Sequence, residues 1–315
     1  MRTDSFRLAT SDDTSIFVNH WSPDDSPRAI VLVAHGMAEH SDRYERFAQA
    51  LTASGYEVYA PDHRGHGRTS AETGVGYFAD EAGFDRVVDD LHELFDRATT
   101  DHPDLPVFMF GHSMGSFLSR AYAAKYGAGL TGLVLSGTAG SPGALGKVGR
   151  AVALAQGRVR GRRHRSGLMD KLTFGQYNAA FKPNRTDFDW LSRDPEEVDK
   201  YVADPKCGEL FTAGFFADLL DGLERVNDDA EVSGTPSELP VLFVSGSADP
   251  VGGKDAKGVQ AAAAQLRKVG VRDVTTTIYP EARHELLNET NRDEVTADVI
   301  AWLDAHLTDS TKGVA

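Results

Sequence analysis

A glycine-flanked serine at the junction of an apolar run and a helical segment constrains the fold most. Val107 to Phe110 is apolar, Gly111-His112-Ser113-Met114-Gly115 follows, and Phe117 to Tyr126 has helical spacing. A strand, a sharp turn and a helix in this order are typical of the turn that presents a nucleophilic serine. Only small residues fit beside the serine there, which gives both glycines a steric cause. We predict that Ser113 is a nucleophile; the alternative is a serine in an ordinary strand-to-helix turn.

Short continuous apolar runs alternate with helical patterns along most of the chain, and such runs are typical of strands buried on both faces of a parallel sheet. Two alternating segments, Phe6–Ala9 and Ser15–Trp21, precede them and predict an antiparallel hairpin. The whole pattern predicts an α/β fold with a doubly wound, mostly parallel sheet. The predicted strands are Ala29–Ala34, Tyr56–Ala60, Pro106–Phe110, Leu133–Leu135, Pro240–Val244 and Val274–Tyr279, and the main helices are Tyr44–Ala53, Phe84–Thr99, Gly258–Val269 and Glu294–Leu307.

The alternation stops in the middle of the chain, in a segment that is rich in aromatic residues. Every fourth residue from Phe211 to Leu223 is apolar, as on one face of a helix. We therefore predict a first core part over residues 1–139, a helical lid insertion over 140–229 and a second core part over 230–307. The polar residues 308–315 are predicted to be a disordered tail.

The second core part offers an acid and a base for Ser113. A serine hydroxyl needs a base, the base needs an orienting acid, and in sheets with this turn the order is serine, acid, histidine. Asp249 follows one predicted strand and His284 follows the next. Asp255 is a poorer alternative acid, and His306 lies inside the closing helix. The sequence thus predicts Ser113, Asp249 and His284 as a catalytic triad.

An oxyanion formed at Ser113 would need two hydrogen-bond donors. One prediction is the backbone N–H of Met114, directly after the serine. The other is the N–H of Met37, because Gly36 lets the backbone after the first central strand bend towards the serine. The alternative interpretation of His35-Gly36 is a plain strand end.

Composition excludes several classes of function. The chain has 33 basic and 47 acidic side chains and a net charge of −14, which argues against nucleic-acid binding. The longest apolar runs are too short to cross a bilayer, and the N-terminus has no secretory pattern. The one cysteine, Cys207, excludes an intramolecular disulfide. We therefore expect a soluble, cytoplasmic protein. No metal or other cofactor is expected, because the sequence has no Cys/His spacing typical of a metal site.

The ordered motifs identify the chain as similar to the monoacylglycerol lipase and lysophospholipase group of α/β-hydrolases. The resemblance implies the α/β-hydrolase fold, the triad and both oxyanion donors. It also implies that Glu39 and Arg43 lie near a glycerol-like head group, although a salt bridge at a helix N-terminus is an equal alternative. The matching motifs are His35–Tyr44, Asp62–Gly67, Gly111–Gly115, Ser245–Asp249 and Arg283-His284.

Two positions depart from the pattern of that group: Ser116 stands where a second glycine is common, and Thr69 where serine is common. The histidines His63 and His66 are predicted to be structural, beneath the site. The lid diverges most, and lids in this group set substrate choice.

A basic stretch in the predicted lid contrasts with the acidic chain. Residues 147–165 contain seven Lys or Arg and no Asp or Glu. It could steer the lid to an anionic lipid surface or bind a phosphate head group, or it could be an exposed loop with solubilising charges.

The function predicted from these features is hydrolysis of a carboxylic ester, with a monoacylglycerol or lysophospholipid as substrate and transient membrane contact through the lid. A short-chain carboxylic ester, a thioester or a peptide is an alternative substrate. The alternative of another class is a non-catalytic ligand-binding protein of the same fold, which an intact triad disfavours.

Overall fold

The apolar runs form the strands of an eight-stranded sheet. The strands are β1 (Arg2–Ala9), β2 (Ser15–Ser22), β3 (Ala29–Ala34), β4 (Tyr56–Pro61), β5 (Val107–His112), β6 (Gly132–Ser136), β7 (Val241–Gly246) and β8 (Val274–Tyr279). They are ordered β1-β2-β4-β3-β5-β6-β7-β8 in a computed structural model that describes residues 1–310, with side chains up to residue 307. The pairs β1–β2 and β2–β4 are antiparallel, and all other pairs are parallel. The predicted fold class and N-terminal hairpin are therefore confirmed.

Helices cover both faces of the sheet, because the central strands are apolar on both sides. Along β3, Ile30 and Leu32 join the core on one face, whereas Val31 and Val33 join the core on the other. The helices are α1 (Glu45–Ala53), α2 (Ser70–Thr73), α3 (Gly83–Asp101), α4 (Met114–Tyr126), α5 (Gly143–Arg160), α6 (Gly167–Thr173), α7 (Pro195–Ala203), α8 (Ala213–Arg225), α9 (Asp229–Val232), α10 (Lys257–Lys268) and α11 (Arg292–Ser310).

The segment between β6 and β7, which we call the cap, contains helices α5 to α9 and lies above the carboxyl ends of the strands around Ser113. Helix α8 turns the aromatic side chains of Phe215 and Phe216 into the core.

Helix α11 continues to Ser310, so the predicted tail over 308–315 begins within a helix, and its residues 311–315 lie outside the described part of the chain. Within the described residues, no helix is both long enough and apolar enough to span a bilayer.

The basic stretch 147–165 is part of the cap and faces acidic side chains. Three ion pairs join it to α8: Lys147–Glu224 at 3.4 Å, Arg150–Asp221 at 2.5 Å and Arg162–Asp218 at 2.8 Å. Three of its seven basic side chains are therefore paired within the cap.

Candidate active site

Ser113 occupies the turn between β5 and α4 with a strained backbone. Its φ of 52° and ψ of −117° lie in a region that non-glycine residues rarely adopt. A Cβ on Gly115 would lie 2.0 Å from the Ala34 carbonyl oxygen, and one on Gly111 would lie 2.5 Å from the Gly115 carbonyl oxygen. The predicted turn is present, and both glycines are required by the approach of neighbouring backbone.

The two departures from the pattern of similar proteins have local structural uses. The Ser116 hydroxyl donates to the Ser113 carbonyl oxygen at 2.6 Å and so braces the turn. The Thr69 hydroxyl accepts a hydrogen bond from the Phe17 N–H at 2.9 Å. Neither side chain changes the position of the candidate triad.

Asp249 and His284 meet at the carboxyl ends of the adjacent strands β7 and β8. The His284 Nδ1 atom lies 3.0 Å from each carboxylate oxygen of Asp249. Both residues are buried, with exposed fractions of 1% for Asp249 and 2% for His284. Burial lowers the pKa of His284, but the Asp249 carboxylate raises it more, so the pKa lies above its usual value of 6.5. Because Nδ1 faces the carboxylate, Nε2 remains free to exchange a proton.

The alternative acid and base lie elsewhere. Asp255 is exposed in a one-turn helix over Lys254–Ala256. His306 on α11 contacts the Trp302 carbonyl oxygen through Nδ1 and Asp273 through Nε2. Neither residue lines the cavity at Ser113.

Ser113 and His284 line one cavity of about 560 Å³ beneath the cap. Among the described residues, no hydrogen bond joins the Ser113 hydroxyl to the His284 ring, an arrangement common before substrate binds. The wall combines apolar and charged side chains, most of which belong to the cap. Its apolar residues include Met37, Ala38, Phe174, Ala179, Phe188, Trp190, Leu191 and Tyr201, and its charged ones include Asp170, Lys171, Lys182, Asp187 and Glu209.

The two candidate oxyanion donors are free of acceptors among the residues that the structure describes. Gly36 lies close to the serine, because a Cβ there would be 3.2 Å from the Ser113 Cβ. Met114 is the first residue of α4, and the first N–H groups of a helix have no intrahelical acceptor. The N–H groups of Met37 and Met114 donate to no acceptor that lies within residues 1–310. Both donors are therefore available to a bound oxygen atom.

Glu39 and Arg43 belong to a buried ion network behind the cavity. Glu39 accepts hydrogen bonds from the Gly36 N–H at 2.5 Å, the Arg43 guanidinium at 2.7 Å and the Tyr44 hydroxyl at 2.9 Å. Arg43 also forms a bidentate pair with Glu285 at 2.6 and 2.7 Å. Burial raises the pKa of Glu39, but Arg43 and neighbouring histidines lower it to about 2. Glu39 lines the cavity and Arg43 does not, which favours the salt-bridge interpretation for Arg43.

Three residues at the site were not singled out from the sequence. The His112 ring lies 4.7 Å from that of His284, and burial together with His284 lowers the pKa of His112 to about 4. The Trp190 ring packs 5.0 Å from His284, and Tyr201 lines the cavity. His112 lies inside the motif Gly111–Gly115, so the sequence alone could have placed it near the serine. Trp190 and Tyr201 come from the cap and carry no local signal.

Three further histidines of the motifs, His35, His63 and His66, pack beneath the site. The His63 N–H donates to His35 Nε2 at 3.0 Å, and the His66 ring contacts that of Phe211 at 4.7 Å. Burial lowers the pKa of all three histidines, which keeps them neutral. They shape the floor of the site and do not line its cavity.

One group of side chains has the composition of a metal site. Candidate ligand atoms of His40, Asp204 and Cys207 lie within 4.8 Å of one another. His40 Nε2 and Asp204 are already hydrogen bonded at 2.8 Å, and burial raises the pKa of the Cys207 thiol. Both features oppose metal ligation, because a metal needs the free nitrogen and the thiolate.

Known proteins resemble the chain over nearly its whole length. The family described as serine aminopeptidase, S33, matches residues 25–291. A monoacylglycerol lipase from Mycolicibacterium smegmatis is 34% identical over 290 residues, which cover 91% of this chain and 92% of that protein. A monoglyceride lipase from Mus musculus is 31% identical over 283 residues, 90% of this chain and 84% of that protein. A thermostable carboxyl esterase from Bacillus coagulans, solved with glycerol, has a TM-score of 0.90 at 30% identity and covers 98% of this chain and 99% of that chain.

Proposed function

The chain belongs to the serine aminopeptidase S33 family of α/β-hydrolases, and from this membership we propose that it hydrolyses monoacylglycerols through an acyl-enzyme on Ser113. It is a serine hydrolase of carboxylic esters. One observation carries the proposal: Ser113, with its strained backbone, lines the same cavity as His284, whose Nδ1 lies 3.0 Å from Asp249. Relatives named monoacylglycerol or monoglyceride lipase support the choice of substrate.

The proposed reaction is a two-step acyl transfer. Ser113 Oγ attacks the ester carbonyl carbon while His284 Nε2 takes the hydroxyl proton. The N–H groups of Met37 and Met114 stabilise the oxyanion, and the protonated His284 then gives its proton to the departing glycerol oxygen. Water, deprotonated by the same histidine, attacks the acyl carbon; the bond to Ser113 Oγ breaks, His284 returns the proton to Oγ, and the fatty acid leaves. Asp249 orients the ring and stabilises its charged form. No metal or cofactor takes part in this sequence.

The cap is proposed to act as the lid over the acyl-binding cavity, as residues 140–229 were predicted to do. Its outer surface exposes Leu145 and Val148 on α5 and Leu168 and Leu172 on α6, with exposed fractions of 84%, 61%, 50% and 51%. We call these four side chains the apolar cap patch. An exposed apolar patch of this kind fits transient contact with a lipid surface that supplies the substrate. A cytoplasmic location remains a prediction.

A short-chain carboxylic ester is the second candidate substrate. Five charged residues of the cavity wall form no ion pair in the described part of the chain: Asp170, Lys171, Lys182, Asp187 and Glu209. A long acyl chain that filled the cavity would lie against them. A short acyl group would avoid them. A lysophospholipid, a thioester and a peptide remain further alternatives.

Hydrolysis rates across substrates decide between these candidates. We expect the purified protein to release fatty acid from monoacylglycerols of medium and long chain faster than acetate or butyrate from p-nitrophenyl esters. Ser113→Ala should abolish both activities and the labelling by a fluorophosphonate probe. A sharp preference for acetyl or butyryl esters would contradict the lipid substrate, and full activity in Ser113→Ala would contradict the nucleophile.

A further inference from the structure

The loop that carries Met37 has a strained backbone. Ala38, the next residue, has a φ of 59°, which costs free energy for a residue other than glycine. Strain of this kind persists only where surrounding contacts hold it. The contacts that hold this loop come from two directions.

One side of Met37 is fixed by the core. The Gly36 N–H donates to Glu39 at 2.5 Å, and Glu39 is anchored by Arg43 and Tyr44. This bond holds the peptide that precedes the candidate oxyanion donor.

The other side of Met37 is fixed by the cap. The Ala38 carbonyl oxygen accepts a hydrogen bond from the Tyr201 hydroxyl at 2.8 Å and another from the Gly208 N–H at 3.0 Å. The Gly208 N–H also lies 3.1 Å from the Tyr201 hydroxyl oxygen, so the three groups form one closed cluster. Tyr201 is 5% exposed on α7, and the Arg43 guanidinium lies 4.9 Å from the centre of its ring.

The backbone of Gly208 favours glycine at this position. Its φ is 67°, and a Cβ there would lie 3.1 Å from the Phe188 ring. Burial raises the pKa of Tyr201, so its hydroxyl keeps its proton and stays a donor at any pH at which the enzyme would work.

From this geometry we propose that Tyr201 and Gly208 of the cap act as positioning residues for the oxyanion donor at Met37. The cap would then complete the active site as well as cover the substrate. Any displacement of Tyr201 or Gly208 would release the Ala38 carbonyl, let the loop relax and misplace the Met37 N–H. The inference rests on the proposed serine hydrolase mechanism, but it holds for any ester that the enzyme cleaves.

Tyr201→Phe tests the inference, because it deletes the donor and keeps the ring. Tyr56→Phe is the matched control: Tyr56 is buried at the far end of β4, its hydroxyl donates to Asp304 at 2.6 Å, and the Arg28 guanidinium lies 4.7 Å from its ring. We expect Tyr201→Phe to lower kcat by about 10- to 100-fold, less than complete loss of an oxyanion donor costs, with KM within about twofold. Tyr56→Phe should keep kcat.

A second readout separates oxyanion stabilisation from substrate contact, since Tyr201 also lines the cavity. A trifluoromethyl ketone forms a tetrahedral oxyanion on the serine, so its Ki should rise in Tyr201→Phe by the same factor by which kcat/KM falls. The affinity for an ether analogue that cannot form the oxyanion should stay unchanged. Gly208→Ala, which strains the same cluster, should change the two affinities in the same way.

Three outcomes would overturn the inference. They are an unchanged kcat in Tyr201→Phe, a raised KM with an unchanged kcat, and equal losses of affinity for the ketone and the ether. These measurements use p-nitrophenyl butyrate. If wild-type protein cleaves this ester but no monoacylglycerol, the proposed substrate is wrong while the test of Tyr201 still stands.

Discussion

At the scale of single residues, the geometry and the protonation of the site depend on a few closely packed positions. The glycines beside Ser113 make room for backbone, and the pair of Asp249 and His284 sets the protonation of the base. Both features could be predicted from the sequence, because a sharp turn demands small residues and a serine demands a base. The structure gives the interatomic distances at these positions, and two predictions can be made from them.

Gly115→Ala should destabilise the protein and abolish activity. The added methyl would lie 2.0 Å from the Ala34 carbonyl oxygen, so either β3 or the turn must move. We expect a loss of about 3 kcal/mol or more in the free energy of unfolding, beyond the small gain that alanine brings to a helix. Urea denaturation measures it. Gly167→Ala is the control, because a Cβ there meets nothing within 4 Å, and its stability should not fall. Equal stability of the two variants would contradict the geometry of the turn.

The pH profile of kcat/KM should fall on its acidic side as His284 becomes protonated. The base must be neutral, and its pKa is raised above 6.5, so kcat/KM should fall as the pH drops through a midpoint above 6.5. In Asp249→Asn the charge that raises this pKa is gone while burial still lowers it. We expect the midpoint to move to lower pH and kcat to fall by on the order of 10⁴. A pH series with a p-nitrophenyl ester measures both. A midpoint that stays in place would exclude Asp249 as the partner of His284.

At the scale of elements, helix α4 connects the serine to two separate points of the cap. Arg120 on α4 is 1% exposed and has no carboxylate partner among the described residues. Its guanidinium donates to the Ala139 carbonyl oxygen at 3.0 Å, to the Val226 carbonyl oxygen at 2.6 Å and to Gln265 at 2.9 Å. Ala139 lies in the cap before α5, and Val226 directly follows α8. One side chain therefore joins the start of the cap and the end of α8 to the helix that follows the serine.

Arg120→Lys should weaken this junction, because a single ammonium group cannot reach acceptors on three separate segments. We expect a loss of about 2 kcal/mol in the free energy of unfolding, the size of lost hydrogen bonds to a charged group. Arg86→Lys, an exposed arginine of α3, is the matched control and should be neutral. Chemical denaturation followed by circular dichroism checks both variants. Equal midpoints would show that the buried guanidinium does not hold the cap.

The same scale shows which parts of the structure the sequence could predict. Strands and helices of the core were placed within a few residues, because buried parallel strands are continuous apolar runs with clear periodicity. The contacts of the cap could not be predicted. Tyr201 reaches Ala38 only through the fold, and the partners of the basic stretch stand on α8, more than fifty residues later in the chain. Neither contact leaves a local pattern, so each needed the tertiary structure.

At the scale of the whole molecule, the net charge and the exposed apolar side chains have opposite effects on approach to an anionic lipid surface. The net charge is −14, and ion pairs to α8 occupy three of the seven basic residues of the stretch 147–165. We therefore expect attraction to an anionic membrane, one of the alternatives for the basic stretch, to be weak. The apolar cap patch remains as the feature that would favour a lipid surface. These two properties together predict how the enzyme should respond to the composition of a lipid surface.

Replacing Leu145 and Val148 with serine should lower hydrolysis of monoacylglycerol in phosphatidylcholine vesicles by about tenfold. Complete burial of one such side chain in the lipid would stabilise binding by about 1.5–3 kcal/mol, and each substitution removes part of that free energy. Activity on a water-soluble ester should not change. Val202→Ser is the control, since Val202 is 52% exposed outside the apolar cap patch and should keep both activities. Adding phosphatidylglycerol to the vesicles should slow wild-type hydrolysis, because the net charge opposes approach. Faster hydrolysis on anionic vesicles would instead show that the basic stretch, despite its ion pairs to α8, guides the cap to the membrane.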